Sequence, residues 1–149
     1  MKNIIVVTGG AGFVGSNLIE LILKKTKYKI LSVDNYSSGH KNNHINHKRV
    51  KYIKSNTKNI SKTLDGVKKK IHTVFHFGEF SRIYQSFIQM EQCLESNSVG
   101  TIAVFNFCLS KKIAPAAFCA VRKPNRRRNS HDHCRRRPRA FRHDLQDGR

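Results

Sequence analysis

The chain has 149 residues, room for one domain of ordinary size, with 38% hydrophobic side chains and a formal net charge of +20. No apolar run approaches the roughly 20 residues that span a bilayer. The start is too weakly basic and too briefly apolar for a secretory leader, so a cytoplasmic protein with no membrane partner is expected. The four cysteines, Cys93, Cys108, Cys119 and Cys134, have no short paired spacing, which argues against a disulfide framework or a CxxC redox site.

Residues 3–8 read as a buried parallel strand, consecutive Ile and Val without polar alternation. Gly9, Gly12 and Gly15 follow at once. Val14, Leu18, Leu21 and Ile22 then repeat at helical spacing to about Lys25, with Lys24, Lys25 and Lys27 suited to the negative end of the helix dipole. Lys29 to Val33 reads as a second strand ending at Asp34, and 35–47 as a polar loop. A short third strand is predicted over 50–53, a weak helix over 60–70, and a fourth strand over 71–77 with Val74, Phe75 and Phe77 as its core. Helices are predicted over 86–95 and 97–111, broken near 97–100, and a fifth strand over 116–121. There is no internal repeat. Alternating strands and helices imply a Rossmann-type, doubly wound parallel α/β sheet, stopping after about four or five strands, with ligands beyond the carboxyl ends of the strands.

The charge has two sources. Residues 1–113 carry 18 basic side chains, 16 of them lysine, against 6 acidic ones; residues 114–149 carry 11 basic, ten of them arginine, against 3 acidic. All 13 isoleucines lie at or before Ile113 and all three prolines after it. Lys, Asn and Ile use AT-rich codons, whereas Arg, Ala and Pro use GC-rich ones. The seam therefore reads as a domain ending at 113, followed by frameshifted, fused or misassembled sequence, or by a natural disordered basic tail. Arg126–Arg128 and Arg135–Arg137 can contact phosphate backbone, so non-specific nucleic-acid adhesion is one expected partner mode. With only Phe118 and Phe141 as aromatics, the tail offers no stacking platform. His131, Asp132, His133 and Cys134, with Cys119, lack the spacing of a zinc site, and no metal is expected.

The most informative stretch is Thr8 to Gly15. A strand turning tightly into a helix offers free backbone N–H groups and a positive dipole end to a phosphate. Glycines at 9, 12 and 15 permit the turn, the approach of a diphosphate, and close packing of helix on strand. Asp34, 19 residues past Gly15, ends the next strand. A carboxylate there accepts both ribose hydroxyls of an adenosine and repels a 2′-phosphate, which favours NAD over NADP; His40 and Lys41 lie close enough to leave NADP open.

Thr8-Gly9-Gly10-Ala11-Gly12-Phe13-Val14-Gly15 resembles the signature of extended short-chain dehydrogenases/reductases, the NAD-dependent epimerase/dehydratase family. Asp34-Asn35-Tyr36-Ser37-Ser38-Gly39 is similar to the segment after the second strand in UDP-glucose 4-epimerases and their relatives. Val74-Phe75-His76-Phe77-Gly78 resembles the fourth strand, and Asn97-Ser98-Val99-Gly100-Thr101 the Asn-Val-x-Gly-Thr helix start. The resemblance covers about residues 3–113. It implies that Gly9, Gly12, Phe13, Val14 and Gly15 hold the diphosphate, and that Asp34, Asn35 and Ser38 hold the adenosine ribose. Asn56 and Thr57 would stand beside the adenine, Asn56 accepting from the exocyclic amine through its side-chain carbonyl. Phe77, Gly78 and Glu79 would line the path to the nicotinamide, and Asn97 would orient that half. Glu79 departs from the small residue of many relatives; either it points away, or Arg82 or a helix end offsets it in a subgroup pocket.

The resemblance also implies what is missing. Family chemistry uses a Tyr and a Lys four residues apart after the fifth strand. The residues four positions beyond Tyr28, Tyr36, Tyr52 and Tyr84 are Ser32, His40, Asn56 and Ile88. No catalytic residue is therefore assigned. The expected function is the NAD-binding portion of a sugar-nucleotide epimerase/dehydratase, inactive as this polypeptide. The alternative is a non-catalytic nucleotide-binding remnant, or a basic protein adhering to nucleic acid.

Overall fold

A computed structural model of the chain describes residues 2–118. Five parallel strands, β1 (Ile4–Thr8), β2 (Lys29–Asp34), β3 (Val50–Lys54), β4 (Ile71–His76) and β5 (Ala114–Phe118), form one sheet in the order β3-β2-β1-β4-β5. The order runs outward from β1 in both directions, which is the doubly wound arrangement. In register, Thr8 stands beside Val33 on one side and His76 on the other. The carboxyl ends of three strands therefore meet at one place.

β1 is buried throughout because both its faces are covered. Ile5 and Val7 pack with Ile30 against Ile19 and Ile22 of α1 (Phe13–Lys25). Ile4 and Val6 pack on the opposite face with Leu31, Val33 and Val74. That face is covered by Ile60 and Leu64, from α2 (Ile60–Thr63) and its end, and by Val104 and Phe107 of α5 (Thr101–Ser110).

Four expectations are adjusted. The inward face of α1 is Gly15, Ile19 and Ile22, whereas Val14 and Leu21 are half exposed. Five of the six residues 18–23 are apolar, so periodicity alone admits neighbouring faces; the approach of Gly15 to the Gly9 carbonyl selects this one. The predicted helix 60–70 is one α-turn followed by a 3-10 segment, Asp65–Lys70, at Gly66, where glycine weakens the helix. In β4 the buried side chains are Ile71, Thr73, Val74 and His76, while Phe75 is only partly buried. The predicted break near 97–100 is a π-helical segment, Glu95–Gly100, joining α4 (Met90–Leu94) to α5. It is preceded by α3 (Ile83–Ile88).

Strand β5 begins one residue beyond the compositional seam, at Ala114, and pairs with β4. The Arg-rich stretches, the 131–134 cluster and residues 119–121 of the predicted fifth strand lie outside the described residues. Residues 83–110 contain no Lys or Arg. Their outward side exposes Ile83, Tyr84, Phe87, Ile88, Ile102 and Leu109. Among the described residues no helix is long and apolar enough to cross a membrane.

Candidate functional site

The site is built on the turn from β1 into α1. Gly9 has φ +69°, and a Cβ there would collide with the Phe77 carbonyl and stand 2.9 Å from the Gly78 nitrogen. Only glycine meets both demands at low cost. At Gly15 a Cβ would collide with the Gly9 carbonyl, so the first turn of α1 sits directly on the loop. Gly12 is the N-cap and offers no side-chain hydrogen bond; no acidic residue occupies the first turn. The amides of Phe13, Val14 and Gly15 have no carbonyl one turn earlier within the helix. Together they form a cradle suited to a diphosphate.

Asp34 is 8% exposed and lies across this turn. Its Oδ2 accepts from the Ala11 amide at 2.9 Å and its Oδ1 from the Tyr36 amide at 2.8 Å. Each oxygen keeps a further acceptor position. The carboxylate is thereby fixed to the glycine turn itself. Tyr36 takes the left-handed conformation, φ +61°, and its hydroxyl bonds His44 Nε2 at 3.0 Å. Burial, together with the Asp34 carboxylate, pushes the Tyr36 phenol upward from its usual range. Asn35 Oδ1 accepts from the Ser37 amide at 3.0 Å, closing a tight turn, and Ser38 is exposed beyond it.

The third wall comes from β4. Thr8 Oγ1 accepts from the Phe77 and Gly78 amides, both at 3.2 Å, and lies 2.5 Å from His76 Nδ1. With both lone pairs taken, the hydroxyl must donate to Nδ1. The proton of neutral His76 then sits on Nε2, which lies 3.1 Å from Thr101 Oγ1. His76 is fully buried, and burial lowers its pKa from 6.5 to about 4. This buried chain links β1, β4 and α5 beneath the loop of residues 77–82.

Gly9, Val33, Asp34, Asn35, Ser55, Thr57 and Gly78 line one small pocket. Five of these seven were expected from sequence; Val33 and Ser55 were not. Phe13 and Val14 lie on the outer side of the first helical turn, where Phe13 is 82% exposed. Asn56 caps the Thr57–Asn59 turn through Oδ1, accepting from the Lys58 amide at 3.0 Å, and its Nδ2 donates to Glu95 at 2.8 Å. Thr57 is buried, and a Cβ at Gly100 would collide with its hydroxyl. Glu79 is partly buried, which raises its pKa. Arg82 bonds Gln85 at 3.2 Å, and among the described residues no ion pair reaches Glu79.

Asn97 grips a neighbouring loop. Its Oδ1 accepts from the Phe80 amide at 2.6 Å and its Nδ2 donates to the Phe80 carbonyl at 3.0 Å. Among the described residues no group of three or more His, Cys, Asp or Glu side chains is placed to hold a metal.

A parallel sheet with a glycine turn and an acidic strand end converging on one pocket defines a dinucleotide-binding α/β domain. The chain belongs to the NAD dependent epimerase/dehydratase family, whose model matches residues 5–121. It is 31% identical over 111 residues to ADP-L-glycero-D-manno-heptose-6-epimerase of Brachyspira hyodysenteriae, covering 73% of this chain and 34% of that one. It is 34% identical over 116 residues to dTDP-D-glucose 4,6-dehydratase of Dictyostelium discoideum, covering 73% and 26%. Among solved structures it resembles the Bordetella bronchiseptica enzyme WbmG in complex with NAD, with TM-score 0.67, 24% identity, and 77% and 36% coverage. It also resembles UDP-N-acetylglucosamine 4-epimerase from Methanobrevibacter ruminantium M1, with TM-score 0.64, 28% identity, and 76% and 36% coverage. The chain thus spans between about a quarter and just over a third of the length of these relatives.

Proposed function

We propose that residues 1–113 form the NAD-binding part of a sugar-nucleotide epimerase or dehydratase, UDP-glucose 4-epimerase-like in its motifs. The observation that carries the reading is the Ala11 amide to Asp34 carboxylate hydrogen bond, 2.9 Å, which joins the diphosphate turn to the ribose acceptor. The amides of Phe13, Val14 and Gly15 would hold the diphosphate beside Gly9 and Gly12. Asp34 would take the ribose hydroxyls with its unused lone pairs, with Asn35 and Ser38 at the rim. Thr57 and Asn56 would flank the adenine. Phe77, Gly78 and Glu79 would border the path of the nicotinamide, which is the hydride carrier when the cofactor is bound. Asn97 would act on that half through the backbone of Phe80.

A buried carboxylate beside the ribose opposes the extra charge of a 2′-phosphate. NAD is therefore expected to bind at least about tenfold more tightly than NADP, a difference of about 1.4 kcal/mol. Calorimetric titration of the 149-residue chain with both dinucleotides tests this; no heat with NAD at millimolar concentration overturns it. Lacking a Tyr-x-x-x-Lys pair, the same polypeptide is expected to show no turnover of UDP-glucose, since positioned acid–base groups contribute about 10²–10⁴ in rate. Salt separates this reading from adhesion to nucleic acid by the Arg-rich segment: adhesion falls steeply as salt rises, NAD binding far less.

A further inference from the structure

Glu95 lies in the π-helical segment, far along the chain from the glycine turn and outside every motif singled out from sequence. Its Oε1 accepts from Asn56 Nδ2 at 2.8 Å and pairs with Lys58 Nζ at 2.9 Å. Asn56 follows the carboxyl end of β3, between Ser55 and Thr57, which both line the pocket. A side-chain amide is nearly symmetrical in shape, so its oxygen and nitrogen exchange places easily unless neighbours forbid it. Here two neighbours do. The Lys58 amide can only donate, and it requires the oxygen. A carboxylate can only accept, and it requires the nitrogen.

We propose that Glu95 is a specificity-determining residue: by fixing the orientation of Asn56 together with the Lys58 amide, it makes the base subsite an acceptor that selects a purine with a 6-amino group. The inference rests on the NAD-binding reading above. Lys58 uses one lone pair of the Asn56 carbonyl, and the other is left to meet the 6-position of a purine. Adenine offers an N–H there. Hypoxanthine and guanine offer an oxygen, which would oppose the carbonyl. An unrestrained amide could rotate and donate to that oxygen, but rotation here would set the Asn56 carbonyl against Glu95 and its NH₂ against the Lys58 amide. Glu95 thus acts through Asn56 and need not touch the cofactor.

The test compares NAD with nicotinamide hypoxanthine dinucleotide, which differ at the 6-position of the purine, by titrating the 149-residue chain. The unaltered protein is expected to prefer NAD about tenfold, the equivalent of one hydrogen bond. Glu95→Gln can accept or donate, so it removes one of the two restraints and leaves the amide held by the Lys58 N–H alone; its preference is expected to fall to about threefold or less, with an unchanged melting temperature. Asn56→Asp combined with Glu95→Gln restores a fixed acceptor held by a donor, and the preference should return. Asn56→Ser keeps the Lys58 cap through its hydroxyl but removes the carbonyl, and it should lose the preference even if Glu95→Gln fails to fold. Equal binding of both dinucleotides by the unaltered chain, or full preference retained in Glu95→Gln or Asn56→Ser, overturns the inference while leaving NAD binding intact. Absence of NAD binding in the unaltered chain overturns the cofactor reading, and this inference with it.

Discussion

Acid should loosen this domain through one side chain, His76. In the fold it is fully buried and held neutral, with Thr8 donating to Nδ1 and Nε2 against Thr101. Protonating Nδ1 would put two hydrogens between the same pair of atoms. Burial accordingly lowers the pKa from 6.5 to about 4. The unfolded chain takes up the proton at the ordinary value, so this contribution is fully present above pH 6.5 and is lost as pH falls towards 4. The gap corresponds to about 3 kcal/mol in the acid limit and about 2 kcal/mol at pH 5. Glu79 acts with the opposite sign: burial raises its pKa, so the fold holds its proton more firmly and gains from acid. A comparison with His76→Gln therefore isolates the histidine. In urea melts, the midpoint of the unaltered chain should fall between pH 7.5 and pH 5 by about 1 M more than that of His76→Gln, taking an m-value of about 2 kcal/mol/M. Parallel losses in the two proteins would refute the reasoning.

Four further outcomes are expected. Gly15→Ala forces a methyl group into the Gly9 carbonyl; it should lower stability by about 2 kcal/mol or more and abolish NAD binding in calorimetry. Ser32→Ala should raise stability by about 1 kcal/mol in the same urea melts, because the Ser32 hydroxyl is buried without a partner under Gly10. Asn97→Ala frees the Phe80 amide from its 2.6 Å bond, so that amide should exchange its hydrogen markedly faster while the amides of β1 keep their protection. Lys at both Ile102 and Leu109, which are 58% and 74% exposed, should raise solubility with an unchanged circular dichroism spectrum.

Much of the site was legible because its physics is local. Gly9, Gly12 and Gly15 announce a turn, and Asp34 closes a strand that begins at a fixed distance from it. The pairing of Asp34 with the Ala11 amide, by contrast, depends on β2 lying beside β1, which no local pattern states. Apolar residues crowd the middle of α1, so periodicity does not single out its inward face, and a backbone contact at Gly15 decides between faces. Asn97 stands out through its motif, but its grip on Phe80 appears only once the loop after β4 folds over the π segment. Glu95 carried no signal at all: an acid amid polar residues near a helix end looks like a solvated side chain. Its partners, Asn56 and Lys58, are nearly 40 residues away in sequence.

The π segment at Glu95–Gly100 holds one residue more than an α-turn would use. Deleting a single codon there would give an unbroken helix and swing α4 round by about 100° relative to α5. The side chain meeting Phe80 and the one meeting Asn56 would then be aimed elsewhere, while the sheet beneath stayed as it is. Insertions and deletions in this short stretch should thus be poorly tolerated.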